Sequence, residues 1–150
     1  MYSSILWATD GSPHADAALR EALTLLEPGG QLIAFHSDQR FVGTRIGGDS
    51  VLLDEPDRLA HLDEQVDGLL RDGIAVTKLV ESTTHDAARE ITSVANELGV
   101  DAIVCGTRGL HGVTALMNGS VAARVLKRAT VPVIVVPSHV AVCHPEAAAV

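Results

Sequence analysis

Short runs that are apolar at their centres, each followed by an amphipathic stretch, constrain this chain more than any other feature. Residues 4–9, 31–37, 101–105 and 131–137 are such runs, and residues 74–80 form a fifth that alternates. Strands without polar alternation are buried on both faces, as in a parallel sheet covered by helices. Between them lie stripes at helical spacing. The first has Ala15, Leu19, Ala22, Leu23 and Leu26, opened by Ser12-Pro13 as N-cap and first helical residue and stopped by Pro28-Gly29-Gly30. The second, residues 57–72, carries Leu59, Leu62, Val66, Leu69 and Leu70 and closes at Gly73. The third follows a Ser82-Thr83-Thr84 cap with Ala88, Ile91, Ala95 and Leu98; the fourth, residues 120–130, carries Val121, Val125 and Leu126. Alternation of strand and helix at these short intervals predicts an α/β fold: an open five-stranded parallel sheet with helices on both faces. Residues 38–56 are the longest irregular connection, a length expected of a functional or mobile loop.

Composition narrows the partners. A chain of 150 residues with 47% hydrophobic and 20% charged content supports one core, and only 3% aromatics means that Val, Ile, Leu and Ala must build it. The formal net charge of -8 argues against nucleic acid or an anionic membrane, both of which need a basic footprint. A small phosphate ligand remains compatible, because backbone amides bind it locally. No run reaches the roughly 18 apolar residues of a membrane span, and residues 1–6 enter a strand without a signal-peptide pattern. The expectation is a cytoplasmic protein, its Cys105 and Cys143 unpaired as suits a reducing compartment. Residues 138–150 read as a tail, loose or packed on a partner subunit, after a domain spanning 1–137.

The fourth strand runs into Gly106-Thr107-Arg108-Gly109, and Asn118-Gly119-Ser120 opens the fourth helix, a G-x2-G-x9-G-S spacing. Glycine lets a ligand approach the backbone, and a helix start offers unpaired amides to an anion. The stretch is either a cradle for the ribose and phosphates of a nucleotide or a plain loop with a Ser cap. In open sheets of this kind ligands bind beyond the carboxyl ends of the strands, where strand order reverses. Asp10 ends the first strand and either accepts from ribose hydroxyls or cradles the turn. Arg108 is placed to neutralise phosphate or to be solvated, and Asn118 to donate to phosphate or to hold the turn.

The glycine spacing, with the apolar strand before it and Val133-Ile134-Val135-Val136-Pro137 after it, resembles the universal stress protein family. Ile5-Leu6-Trp7-Ala8-Thr9-Asp10-Gly11-Ser12 is similar to that family's first strand and turn, and Phe35-His36 to its second strand. The likeness covers residues 1–137, and the glycine motif marks the family's ATP-binding branch. It implies strand order 3-2-1-4-5, the adenine-nucleotide alpha-hydrolase-like arrangement, and a homodimer through the last strand. By position it implies Asp10 at ribose or adenine, Ala8 and Ser37 lining the base, Gly106 and Gly109 against ribose and phosphate, and Gly119 and Ser120 on the outer phosphates. Ser37 stands where the family often has valine, and Ser82-Thr83-Thr84 where it often has Gly-x-Pro. Magnesium would arrive bridging the phosphates.

Other chemistries fit less well. No Lys-Ser or Lys-Thr follows the glycines as in a P-loop, and no G-x-G-x-x-G follows the first strand. Ser12, His36 and Asp10 lack a nucleophile elbow, and His139, Cys143 and His144 are three metal-type donors on a tail. His14, His61 and His85 read as surface or cap residues, and Cys105 as a core thiol. The expected function is a nucleotide-dependent stress-response binding protein, with an unidentified protein partner and at most slow ATP hydrolysis. Its alternatives are an adenylating or ATP-hydrolysing enzyme on the same fold and a cyclic-AMP-binding stress protein. Asp10-Gly11-Ser12-Pro13 departs from the Ser-Gly-Gly-x-Asp-Ser and His-x-Gly-His loops of the adenylating families.

Overall fold

The computed structural model describes residues 1–11, 15–39, 55–83, 86–107 and 121–137. Its strands are β1 (Tyr2–Ala8), β2 (Leu26–Gln39), β3 (Ala75–Thr83), β4 (Ala102–Gly106) and β5 (Val133–Val136). Its helices are α1 (Asp16–Leu25), α2 (Glu55–Arg71), α3 (Ala87–Leu98) and a fourth, α4 (Val121–Arg128). The strands form one parallel sheet in the order β3-β2-β1-β4-β5. The strand order therefore reverses between β1 and β4.

Alternation along the strands divides the core between two faces. Ile5, Trp7, Leu32, Ala34 and Val104 pack with Ala18, Leu19 and Ala22 of α1 and Leu62, Val66 and Leu69 of α2. Leu6, Ile33, Phe35 and Ile103 pack with Ala88, Ile91, Val94 and Ala95 of α3 and Val125 of α4. Trp7 and Phe35, the largest fully buried side chains, fall on opposite faces. Each such side chain contributes about 1.5–3 kcal/mol through burial. The two sheet edges differ: β3 presents exposed Lys78 and Glu81, with Lys78 paired to Asp63, whereas β5 is Val-Ile-Val-Val.

Two boundaries depart from the sequence expectation. Pro28-Gly29-Gly30 does stop α1, but Leu26 is already extended (φ -75°, ψ 130°) and begins β2 rather than ending the helical stripe. Pro28 disfavours helix at Glu27, the residue before it, and Leu26 pairs with Tyr2. The register then slips between Tyr2↔Leu26 and Ser4↔Gln31, which absorbs the Pro-Gly-Gly segment as an irregularity. The cap of α3 is Asp86, whose side chain accepts from the Ala88 amide at 3.4 Å; Ser82 and Thr83 belong to β3 instead. A carboxylate accepts an amide proton more strongly than a hydroxyl does, so the cap falls beyond the Ser-Thr-Thr run. The expected α1 cap, Ser12-Pro13, lies outside the described residues, as do residues 40–54 of the long connection and the tail.

Asp101, at the entrance of β4, latches the start of β1. Its Oδ2 accepts from Ser3 Oγ (2.6 Å), Ser3 N (3.2 Å) and Ser4 N (3.0 Å). The Ser3 hydroxyl first, then the Ser4 amide, hold its carboxyl below the ordinary 3.8. The folded value is the lower one, so the latch stabilises above pH 3.8 and is lost as pH falls through the folded value. An Asp101→Ala chain should melt below the parent at neutral pH, with the gap closing in acid; circular dichroism melts at stepped pH check this.

Candidate functional site

The β1–α1 turn is fixed by Thr9, at the point where the strand order reverses. The Thr9 amide donates to the Phe35 carbonyl at 2.9 Å, and its Oγ1 accepts from the Gly11 amide at 3.0 Å. The Thr9 carbonyl lies 3.0 Å from Nδ1 of His36. A carbonyl only accepts, so that nitrogen carries the proton. His36 is 4% exposed and Thr9 7%. His36 is thus an anchor of the turn, and the part sequence reasoning assigned to neither residue is structural support for Asp10. A Thr preceding Asp-Gly was the one available signal, since a hydroxyl there closes a local turn.

Gly11 follows with φ +74°, and a Cβ on it would lie 2.6 Å from the Arg58 carbonyl oxygen in α2. Helix α2 therefore rests directly on the turn. A second link, from Asp16 of α1 to Gln65 Nε2 (2.7 Å) and His61 Nε2 (3.2 Å), joins the two helices. His61, expected on the surface, is a part-buried partner in that link.

Ala8 pairs with Phe35 on one side and Cys105 on the other. Two residues past these partners come Asp10, Ser37 and Thr107, with Asp10 beyond β1 and Thr107 beyond β4. Asp10, Ser37, Gly106 and Thr107 are all half-buried. The Thr107 amide donates to Val136 at 2.9 Å, carrying the β4–β5 pairing one residue past Gly106. Of the sequence-expected site residues, Ala8 pairs between Phe35 and Cys105, Gly106 follows Cys105 on β4, and Asp10 and Ser37 stand two positions beyond Ala8 and Phe35. Arg108, Gly109, Asn118, Gly119 and Ser120 lie outside the described residues, and α4 begins at Val121. In the first turn of α4, Arg124 donates to the Asp86 carboxylate at 3.0 Å, tying that helix to the cap of α3.

Ser37 Oγ is shielded from solvent and has no hydrogen-bond partner. A buried polar atom left unpaired costs about 1–3 kcal/mol, so its presence at the end of β2 calls for a reason. Trp7 Nε1 is a second such atom, deep in the α1–α2 face.

Cys105, on β4 beside Ala8, is a free buried thiol, as expected of a core residue. Burial pushes it up to about 11 from 9.0, so the nucleophilic thiolate is suppressed. In a Cys143→Ser chain, Ellman's reagent should leave Cys105 unmodified at neutral pH until denaturant is added. Among the described residues no three His, Cys, Asp or Glu side chains gather as a metal site; His139, Cys143 and His144 lie outside them. No helix among the described residues is long and apolar enough to cross a membrane.

The sheet order, with its reversal between β1 and β4, defines an adenine-nucleotide alpha-hydrolase-like fold. The sequence model of the Universal stress protein family matches residues 1–137. Universal stress protein YxiE of Bacillus subtilis is 30% identical over 150 residues, covering 91% of this chain and 99% of that protein. A solved universal stress protein family structure from Burkholderia pseudomallei superposes with TM-score 0.68 at 31% identity, covering 91% of this chain and 96% of its own. The universal stress protein of Archaeoglobus fulgidus, solved in complex with dAMP, gives TM-score 0.61 at 26% identity, covering 89% and 97%. The chain belongs to the universal stress protein family.

Proposed function

We propose that this chain is an ATP-binding regulatory protein of the stress response, cytoplasmic and homodimeric, that changes its hold on a protein partner with nucleotide occupancy. The carrying observation is that half-buried Asp10, Ser37 and Thr107 each follow by two residues the Ala8, Phe35 and Cys105 that pair at the point of strand reversal, with Asp10 in a turn held by Thr9. The dAMP bound by the Archaeoglobus relative supports an adenine nucleotide as the occupant. In this reading Asp10 accepts from the ribose hydroxyls, and Ala8 and Ser37 line the base. Gly106, Gly109, Gly119 and Ser120 present amides to ribose and phosphate, with Arg108 and Asn118 alongside. Magnesium would be carried by the phosphates rather than by side chains of the protein and would offset their charge. A fast hydrolase would need a base positioned on water at the γ-phosphate; Asp10 is assigned to ribose, so turnover is slow at most. The uncharged β5 edge supports pairing of two copies through the last strand.

Native mass spectrometry with ATP, cyclic AMP and GTP tests ligand, preference and subunit number together. ATP should bind with Kd below about 1 mM, near 4 kcal/mol, to a dimeric species. If no adenine nucleotide binds in that range, the reading fails.

A further inference from the structure

We infer that the ion pair between Asp86 and Arg124 is a positioning strut, which sets the start of α4 in place for the phosphates of a bound nucleotide without touching them. This rests on the nucleotide reading above and adds to it the device that aims one helix. Arg124 stands where the helix field works against it. A cation in a first turn meets the positive end of the dipole, whereas Lys127 and Arg128 occupy the favourable last turn of the same helix. What holds Arg124 there is Asp86 Oδ1, 3.0 Å from its guanidinium. The same oxygen accepts from the Ala88 amide at 3.4 Å, so one atom caps α3 and tethers α4. The guanidinium is also partly enclosed, its Nε shielded from solvent and unbonded. Helices α3 and α4 run side by side in the same direction. Past the far end of α4, Thr130 Oγ1 donates to Asn96 Oδ1 at 2.7 Å, and between the two ties Val125 packs into the core face shared with α3. Cutting the Asp86–Arg124 tie therefore frees the first turn of α4 while its middle and far end stay held. A helix start carries amides without intrahelical partners, and in the nucleotide reading those of α4 take phosphate. The loss should fall on phosphate contacts and spare the base and ribose.

The test measures ATP and adenosine by titration calorimetry on the parent, Asp86→Asn, Arg124→Gln, the double variant and Thr130→Val. Asparagine caps a helix about as well as aspartate, so Asp86→Asn cuts the ion pair and keeps the start of α3. The two single variants change the local charge in opposite senses, so a like loss in both follows from geometry and not from charge. ATP should weaken about fivefold in each, the scale of an anion at a helix start, while adenosine stays within about twofold of the parent. The double variant should lose no more than either single one, as expected of two groups acting as a unit. Thr130→Val, which frees the opposite end of α4, should keep the parent's ATP affinity. The inference is overturned if Asp86→Asn binds ATP as tightly as the parent or more tightly, the latter making Arg124 a phosphate cation restrained by Asp86. It is equally overturned if the single losses multiply in the double variant, if adenosine weakens as much as ATP, or if Thr130→Val shows the same selective loss. If Arg124→Gln does not fold, or adenosine is too weak to measure, the contrast in ATP affinity between Asp86→Asn and Thr130→Val decides. A parent chain that binds no ATP overturns the nucleotide reading itself, a result distinct from an unchanged Asp86→Asn affinity.

Discussion

Gly11→Ala should unfold about 10 °C below the parent, a loss of roughly 3 kcal/mol. Two costs combine. A residue with a Cβ held at φ +74° sits in the left-handed region, at about 1–2 kcal/mol. The added methyl would also stand 2.6 Å from the Arg58 carbonyl oxygen, and that atom is helix backbone. A flexible side chain could swing aside, but here the start of α2 has to move. The shift would strain the packing of Leu62 behind it, since that residue is fully buried against the sheet. Thermal denaturation followed by Trp7 emission measures the effect. A Tm within about 2 °C of the parent, less than 1 kcal/mol for a chain of this size, would show that the turn relaxes freely.

The second large effect concerns affinity. Asp10→Asn should weaken ATP by about 10- to 100-fold, because hydrogen bonds to a charged acceptor are worth about 1.5–3 kcal/mol. Asparagine keeps the size of the side chain and its fit in the turn, so the ligand-free Tm should stay near the parent's. The distinction between ribose acceptor and turn support is thereby put to measurement. Titration calorimetry against ATP and 2′,3′-dideoxy-ATP makes it sharp: the parent should lose affinity when the hydroxyls are absent, and Asp10→Asn should be indifferent to them. An equal response of both proteins would assign Asp10 to the turn alone.

The sheet was legible in the chain because its signal is collective. Runs such as Leu32-Ile33-Ala34-Phe35 and Ala102-Ile103-Val104-Cys105 are apolar on both faces, and only a doubly covered parallel sheet satisfies several of them at once. Helix faces were legible for the same reason. Local boundaries were not. Leu26 fits a helical stripe by spacing, yet the tertiary pairing with Tyr2 takes it into β2. Ser82-Thr83-Thr84 has cap chemistry, but Asp86, two residues later, provides the stronger acceptor. Asp10, Ser37 and Gly106 were readable as candidates because strand ends at a reversal point are where ligands bind, whereas Ala8 entered only through the family resemblance. The support of Thr9 by His36 depends on a contact between β1 and β2, and the need for glycine at 11 depends on Arg58 in a helix far along the chain. Neither distance is written in local pattern. The unpaired Ser37 hydroxyl likewise became visible only once its surroundings were in place.

The unequal borders of the sheet have a consequence for assembly. Backbone addition is discouraged along β3 by Lys78 and Glu81, leaving Val133–Val136 as the uncharged rim among the described residues. If two copies pair through that rim as proposed, about a twofold axis, the first union would use it up. In the proposed dimer growth would then halt at two copies, and the same asymmetry that permits pairing would guard against fibres.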